Sequence, residues 1–182
     1  MSGTLRALLP RLFPQWVEDE HWLVLTHRGK TALEASIPKK LANWHRPTDR
    51  FVILRDNDGS DCKRLKVRLR SLASARPASE VLIRIVCQEL ESWFLGDLAA
   101  VRAAYGRLPS HARQDSSIFR DPDRLTNAAD ELSKLTGIPG KVARAEVIAP
   151  QLQTDPTQNR SISFGAFITG LQRLAVALGT ES

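Results

Sequence analysis

Apolar residues recur along the chain in two rhythms, and the alternation between them predicts the elements. Leu5, Leu8, Leu9 and Leu12 follow a helical spacing that stops before Pro14, which predicts a short amphipathic opening helix. Residues 21–27, HWLVLTH, form a short apolar run closed by Arg28-Gly29-Lys30 and predict a buried strand. Leu33, Ile37, Leu41 and Trp44 return to the helical period, and Pro38 among them must begin a second helix or kink the first. Residues 51–54 predict a second strand, introduced by the turn-prone RPTD segment. After Asp61 a helix is expected with Leu65, Leu69 and Leu72 inward and Lys63, Arg64, Lys66, Arg68 and Arg70 around its other faces. Residues 81–86 predict a third strand, and residues 89–104 a helical region carrying Leu90, Trp93, Phe94 and Leu98.

Strands separated by helices of this length imply parallel pairing through right-handed crossovers, hence a layered α/β fold. From about Pro109 the pattern turns to helices and loops punctuated by Pro122, Pro139, Pro150 and Pro156. The last helix runs through Phe164, Phe167, Ile168, Leu171 and Leu174. The expected organisation is a single domain over residues 1–182, with an α/β core in 1–108 and a mainly helical cover in 109–182. No internal repeat or low-complexity tract interrupts it.

Composition narrows the class. An apolar fraction of 42% with 25% charged residues is that of a folded globular chain and excludes disorder. No apolar run approaches the roughly 18–20 residues that span a bilayer, and the opening residues do not read as a secretion signal, so a cytoplasmic location is expected. Cys62 and Cys87 stand outside any CxxC or Cys/His array and read as free thiols. The net charge of +6 and a pI near 9.8 favour a polyanionic partner such as nucleic acid.

The candidate chemistry is carboxylate. Ligands of open α/β sheets sit beyond the carboxyl ends of the strands, where Asp56 and Asp58 fall in FVILRDNDGSDC. On a segment that stayed extended, the two side chains of a D-x-D would share one face, and two hard oxygen ligands suit Mg²⁺ or Mn²⁺. The run VLIRIVCQELESW repeats the arrangement with Glu89 and Glu91. Acids from adjacent strands could together surround one or two cations, a geometry used in phosphodiester hydrolysis. Capping explains the same residues: Asp58 or Ser60 as a helix cap, Asp61 against the helix dipole, Glu89 and Glu91 as acids of a first helical turn.

Other positions carry weaker signals. The basic helix after Asp61 could track a phosphate backbone or be a solvated face. His27, Arg28 and Lys30 follow a predicted strand end and could meet the acids there. Lys141 opens a helix, where the dipole disfavours a cation. Ser161 or Ser163 is placed to cap the last helix, while Trp44 and Trp93 lie on apolar faces as core. With no GxxxxGK[ST], GxGxxG or GxSxG, the motifs of nucleotide hydrolysis, dinucleotide binding and triad hydrolysis are absent.

The ordered blocks LRALLPRL, HRGK, FVILRDNDGSDC, IRIVCQELESWFLGD, FRDPD, GKVARAEVIAP and NRSISFGAFITGLQRL resemble the domain-of-unknown-function family 4276 over nearly the whole chain. That family is similar to the topoisomerase-primase (Toprim) fold, to RloB-like proteins and to the nuclease domains of overcoming-lysogenization-defect proteins. The resemblance implies a Rossmann-like, mainly parallel sheet and a Mg²⁺-dependent or Mn²⁺-dependent nuclease site. It also implies service in a bacterial anti-phage module with an ABC-type or AAA-type ATPase partner. It assigns Asp56 and Asp58 to the metal-holding D-x-D, Glu89 and Glu91 to a further acidic motif, and Lys141 to the scissile phosphate. Relatives begin with a strand ending in Val-Glu-Gly, whose glutamate is the acid or base, whereas here Met1-Ser2-Gly3 precedes the LRALLPRL helix. If the natural chain also begins here, rather than at an earlier start, hydrolysis is expected to be weak or absent unless Glu18, Glu20 or another chain supplies a carboxylate, and a sheet edge is left open. The alternative expectation is a non-catalytic adaptor that binds an ATPase or nucleic acid.

Overall fold

A computed structural model of the chain describes residues 1–138 and 141–179, with side chains over 1–138 and 144–178. Its sheet has two strands, β1 (Phe51–Asp56) and β2 (Val81–Val86), paired in parallel from Phe51↔Val81 to Asp56↔Val86. A parallel pair needs a crossover, and the amphipathic helix α3 (Cys62–Leu72) supplies it. Because strand neighbours alternate faces, Ile53, Val81 and Ile83 enter one apolar cluster with Leu65 and Leu69 of α3 and with Ile37 and Leu41 of α2 (Gly29–Ala42). Leu54, Leu82 and Val86 face the other way, into a larger cluster built on α1 (Ser2–Leu12) and the C-terminal helices. The fold is therefore mixed α/β, with helices on both faces of a small parallel sheet.

The larger cluster gathers α4 (Glu91–Leu95), α5 (Leu98–Tyr105), α6 (Ala128–Thr136), α7 (Lys141–Ile148) and α8 (Ile162–Gly179). Trp93 is fully buried at its centre, stacked on Phe167 at 5.0 Å and edge-on to Phe164 at 5.3 Å between ring centroids. Leu8 of α1, Val86 of β2 and Phe164 of α8 share this cluster, so the C-terminal helices pack on the α/β part through one continuous core. Among the described residues no helix is long and apolar enough to cross a membrane.

Two expectations differ from the fold. Residues 21–27 are not a strand: only an isolated bridge, Glu18↔Trp22, forms near them, and Leu23 and Leu25 are exposed. Apolar character alone does not make a strand where no neighbouring backbone takes up its ladder. The helix expected over residues 89–104 is two helices, broken at Gly96 and Asp97. A Cβ at Gly96 would collide with Asn159 and lie 2.8 Å from Ser161 N, and Asp97 caps α5 by accepting from Ala100 N at 2.9 Å. Pro38, expected to begin a second helix or kink the first, lies inside α2 and does not begin a helix.

Candidate functional site

β1 ends at Asp56, opposite Val86, and the chain turns at once. Asn57 N donates to Val86 O at 3.0 Å, which carries the pairing one step past the strand. Asn57, 4% exposed, then uses its whole side chain: Oδ1 accepts from Gln88 N at 2.5 Å, and Nδ2 donates to Ser60 O at 2.8 Å and to Cys62 Sγ at 3.2 Å. Asp58 and Gly59 adopt positive φ, 47° and 75°, a backbone that Asp tolerates and Gly prefers. Asp61 caps α3, accepting from Arg64 N at 2.7 Å, so of the acids after β1 this one is the helix cap.

The predicted site residues are distributed around this turn. Asp56 keeps the strand-end position expected of it. Asp58 lies in the turn, beyond the extended backbone, so the alternation that would set it beside Asp56 stops one residue short. Its Oδ2 accepts from Lys30 Nζ at 3.2 Å, which joins the HRGK segment to the acidic edge. Glu89 follows β2 and its Oε2 accepts from Ala129 N at 2.9 Å, placing a carboxylate at the positive end of α6. Glu91 opens α4 and is buried, 4% exposed. Lys141 begins α7, but its side chain lies outside the described residues. Among the described residues no three His, Cys, Asp or Glu side chains gather closely enough to hold a metal ion.

Sequence reasoning did not single out Asp123, the last residue of FRDPD. Its carboxylate accepts from Ser161 Oγ at 2.6 Å, from Ser163 N at 2.7 Å and from Ser163 Oγ at 3.2 Å. Burial pushes the Asp123 carboxyl above its ordinary value, and the three hydrogen bonds only partly offset this. Ser163 Oγ in turn accepts from Trp93 Nε1 at 2.9 Å and from Cys87 N at 3.3 Å, linking the end of β2 to the start of α8. Ser161 is the cap foreseen for that helix, with Phe164 N donating to its Oγ at 3.1 Å. Cys87 has its thiol pushed up to about 12, first by burial and then by the nearby Asp123 charge, and its Sγ lies 3.6 Å from Cys62 Sγ.

Compared with known proteins, residues 1–172 match the family model described as Domain of unknown function (DUF4276). The chain belongs to this family. No curated protein and no solved structure matches it.

Two surfaces of this DUF4276 chain border the acidic turn. Among the described residues β1 pairs with β2 alone, and its outer side opens on a groove of about 1240 Å³. Asp56, Asp58, His27 and Lys30 line one part of that groove, and Leu5, Phe167 and Leu171 form part of its apolar wall. On the other side, α3 exposes Lys63, Arg64 and Lys66. Arg68 is bound instead to Glu34 at 2.5 Å, and the same carboxylate holds the buried Arg55.

Proposed function

We propose that this chain is a Toprim-like, metal-assisted nuclease that acts on phosphodiester bonds of nucleic acid. The observation that supports it is the convergence of Asp56, Asp58 and Lys30 on one groove at the carboxyl end of a parallel strand, where open α/β sheets bind ligands. Mg²⁺ takes as few as one or two protein carboxylates, completing its shell with waters and substrate phosphate, so Asp56 at the strand end or Asp58 in the turn, which line the same groove, supply the donors it needs. Bound there, Mg²⁺ or Mn²⁺ would supply charge neutralisation at phosphorus. The chain's own residues would bind and orient: Lys30 beside Asp58 is placed to meet a phosphate oxygen, and the first turns of α3 offer Lys63, Arg64 and Lys66 to flanking phosphates. Participation in an anti-phage module with an ATPase partner rests on the resemblance to Toprim relatives.

Three observations favour a second reading, a non-catalytic adaptor on the same fold. Asp58 is already paired with Lys30, Glu89 is engaged by Ala129 N, and no three-ligand cluster exists among the described residues. Calorimetric titration of Mn²⁺ into the protein and into the Asp56→Ala/Asp58→Ala variant separates the two. Binding of one or two ions that is lost in the variant is the nuclease expectation, to be followed by Mg²⁺-dependent cleavage of DNA and RNA. A folded protein that takes up no ion, yet binds nucleic acid with an affinity that falls as salt rises, would leave the adaptor reading standing and refute the first.

A further inference from the structure

Cys62 and Cys87 are separated by a whole crossover in sequence, yet their sulfurs are in contact at 3.6 Å. Both are free and partly exposed. The contact follows from topology: Cys87 is the first residue after β2, and Cys62 opens the helix that follows the β1 turn, so parallel pairing of the strands delivers both to one edge. A disulfide needs about 2.05 Å between sulfurs, so closing the gap takes about 1.5 Å, within reach of side-chain rotation at two residues. The sulfurs are also chemically unequal. Cys62 occupies the first position of α3, and Asn57 Nδ2 donates to its sulfur at 3.2 Å. Cys87 lacks that donor.

We propose that Cys62 and Cys87 form a reversible dithiol–disulfide site, with Cys62 as the attacking sulfur, Cys87 as the resolving sulfur and a low-molecular-weight disulfide such as oxidised glutathione as the co-reactant. The Cys62 thiolate attacks one sulfur of the oxidant, forming a mixed disulfide and releasing one glutathione thiolate, which takes up the proton Cys62 gave. Cys87 then attacks Cys62 Sγ, the mixed disulfide breaks, and the second glutathione leaves with the proton of Cys87. Two protein thiols are oxidised and one glutathione disulfide is reduced to two thiols. The new bond ties the start of α3, the far end of the turn that carries Asp58, to the end of β2, the strand with which the near end of that turn is paired. It stands whether or not that turn holds a cation.

The test is intact mass after treating reduced protein with oxidised glutathione, followed by alkylation in denaturant. Wild type is expected to lose two hydrogens, resist alkylation and remain monomeric on a non-reducing gel. Cys87→Ser should stop at one glutathione adduct on Cys62, and Cys62→Ser should react at least about tenfold more slowly, as its remaining thiol lacks the amide donor that Asn57 gives Cys62. The oxidised protein should also unfold at a higher temperature than the reduced one, because a cross-link compatible with the fold restrains the unfolded chain. Persistent adduct on wild type, two alkylatable thiols after treatment, chain-to-chain cross-links, or a disulfide that lowers the unfolding temperature would each overturn the proposal. Measurements on wild type alone suffice for these outcomes, so a serine variant that fails to fold leaves the test intact.

Discussion

Replacing Asp123 tests how the end of β2 is held to the start of α8. Its carboxylate receives one backbone donor, Ser163 N, and the hydroxyls of Ser161 and Ser163. The two hydroxyls lie 3.1 Å apart, so the Ser163 hydroxyl can turn to donate to Ser161 Oγ, but Ser163 N–H cannot leave the helix end. An unsatisfied buried donor costs about 1–3 kcal/mol and a hydrogen bond to a charged acceptor contributes about 1.5–3 kcal/mol, so Asp123→Ala is expected to lose about 3 kcal/mol after hydroxyl reorientation. Asn keeps one oxygen for Ser163 N and faces its amide to Ser161 Oγ, which accepts only from Phe164 N, whereas Ser163 Oγ already accepts from Trp93 and Cys87, so Asp123→Asn should lose about 1–2 kcal/mol, less than Ala. For a chain of this length about 1 kcal/mol moves Tm by roughly 2–4 °C, so Ala should lower it by roughly 6–12 °C.

The same pair of variants reads out protonation. Because the folded-state carboxyl is raised above its ordinary value of 3.8, the folded protein binds its proton more tightly than the unfolded chain. The stability contributed by this group is therefore complete below about 3.8 and is lost as pH rises through the higher folded value. Asp115 and Asp155 shift in the opposite direction, but they are present in every variant and cancel in the difference. Urea unfolding across that range should give a wild-type-minus-Asn stability difference that shrinks as pH rises. Equal losses for Ala and Asn, or a difference independent of pH, would refute the account of Asp123.

Two further substitutions probe the frame around the site. Gly96→Ala should cost about 1–3 kcal/mol in urea unfolding, since the added Cβ meets Asn159 and the Ser161 backbone where Arg160 N also donates to Gly96 O; a wild-type midpoint would contradict the packing. Glu34→Ala should cost about 3–5 kcal/mol by leaving Arg55, 8% exposed, without its carboxylate, and Glu34→Leu/Arg55→Met should recover most of it. If the double variant is no better than the single, Glu34 acts through Arg68 instead.

The elements that read correctly in the sequence are those whose period had a clear physical partner. Residues 51–54 and 81–86 are short runs rich in apolar residues, separated by an amphipathic helix, so their parallel pairing was legible. Residues 21–27 are as apolar but find no backbone neighbour, and periodicity carries no information about partners. The break at Gly96 was hidden for a related reason: it is set by Asn159, far along the chain, which occupies the space a side chain would need. The strand-end position of Asp56 was visible because it follows from the strand alone. The engagement of Glu89 with α6, the Asp123 network and the Cys62–Cys87 contact all join segments distant in sequence, and no local pattern records them.

The residue that joins these segments is the middle of the D-x-D. Motif reading weighs the two carboxylates and passes over Asn57, yet Asn57 is buried while Asp58 points to Lys30 at the surface. Its backbone extends the β1–β2 pairing to Val86 O, its Oδ1 holds Gln88 N, whose φ is 62°, and its Nδ2 reaches both Ser60 O and Cys62 Sγ. A shift of one residue in the strand register would turn Asp56 to the opposite face and break all of these bonds at once. The amide is suited to this place because it donates and accepts simultaneously, which neither Asp nor Leu could do there. The geometry of the acidic turn and the meeting of the two thiols therefore depend on the same side chain, and any cation or oxidant that acts at this edge acts on a loop that Asn57 holds in place.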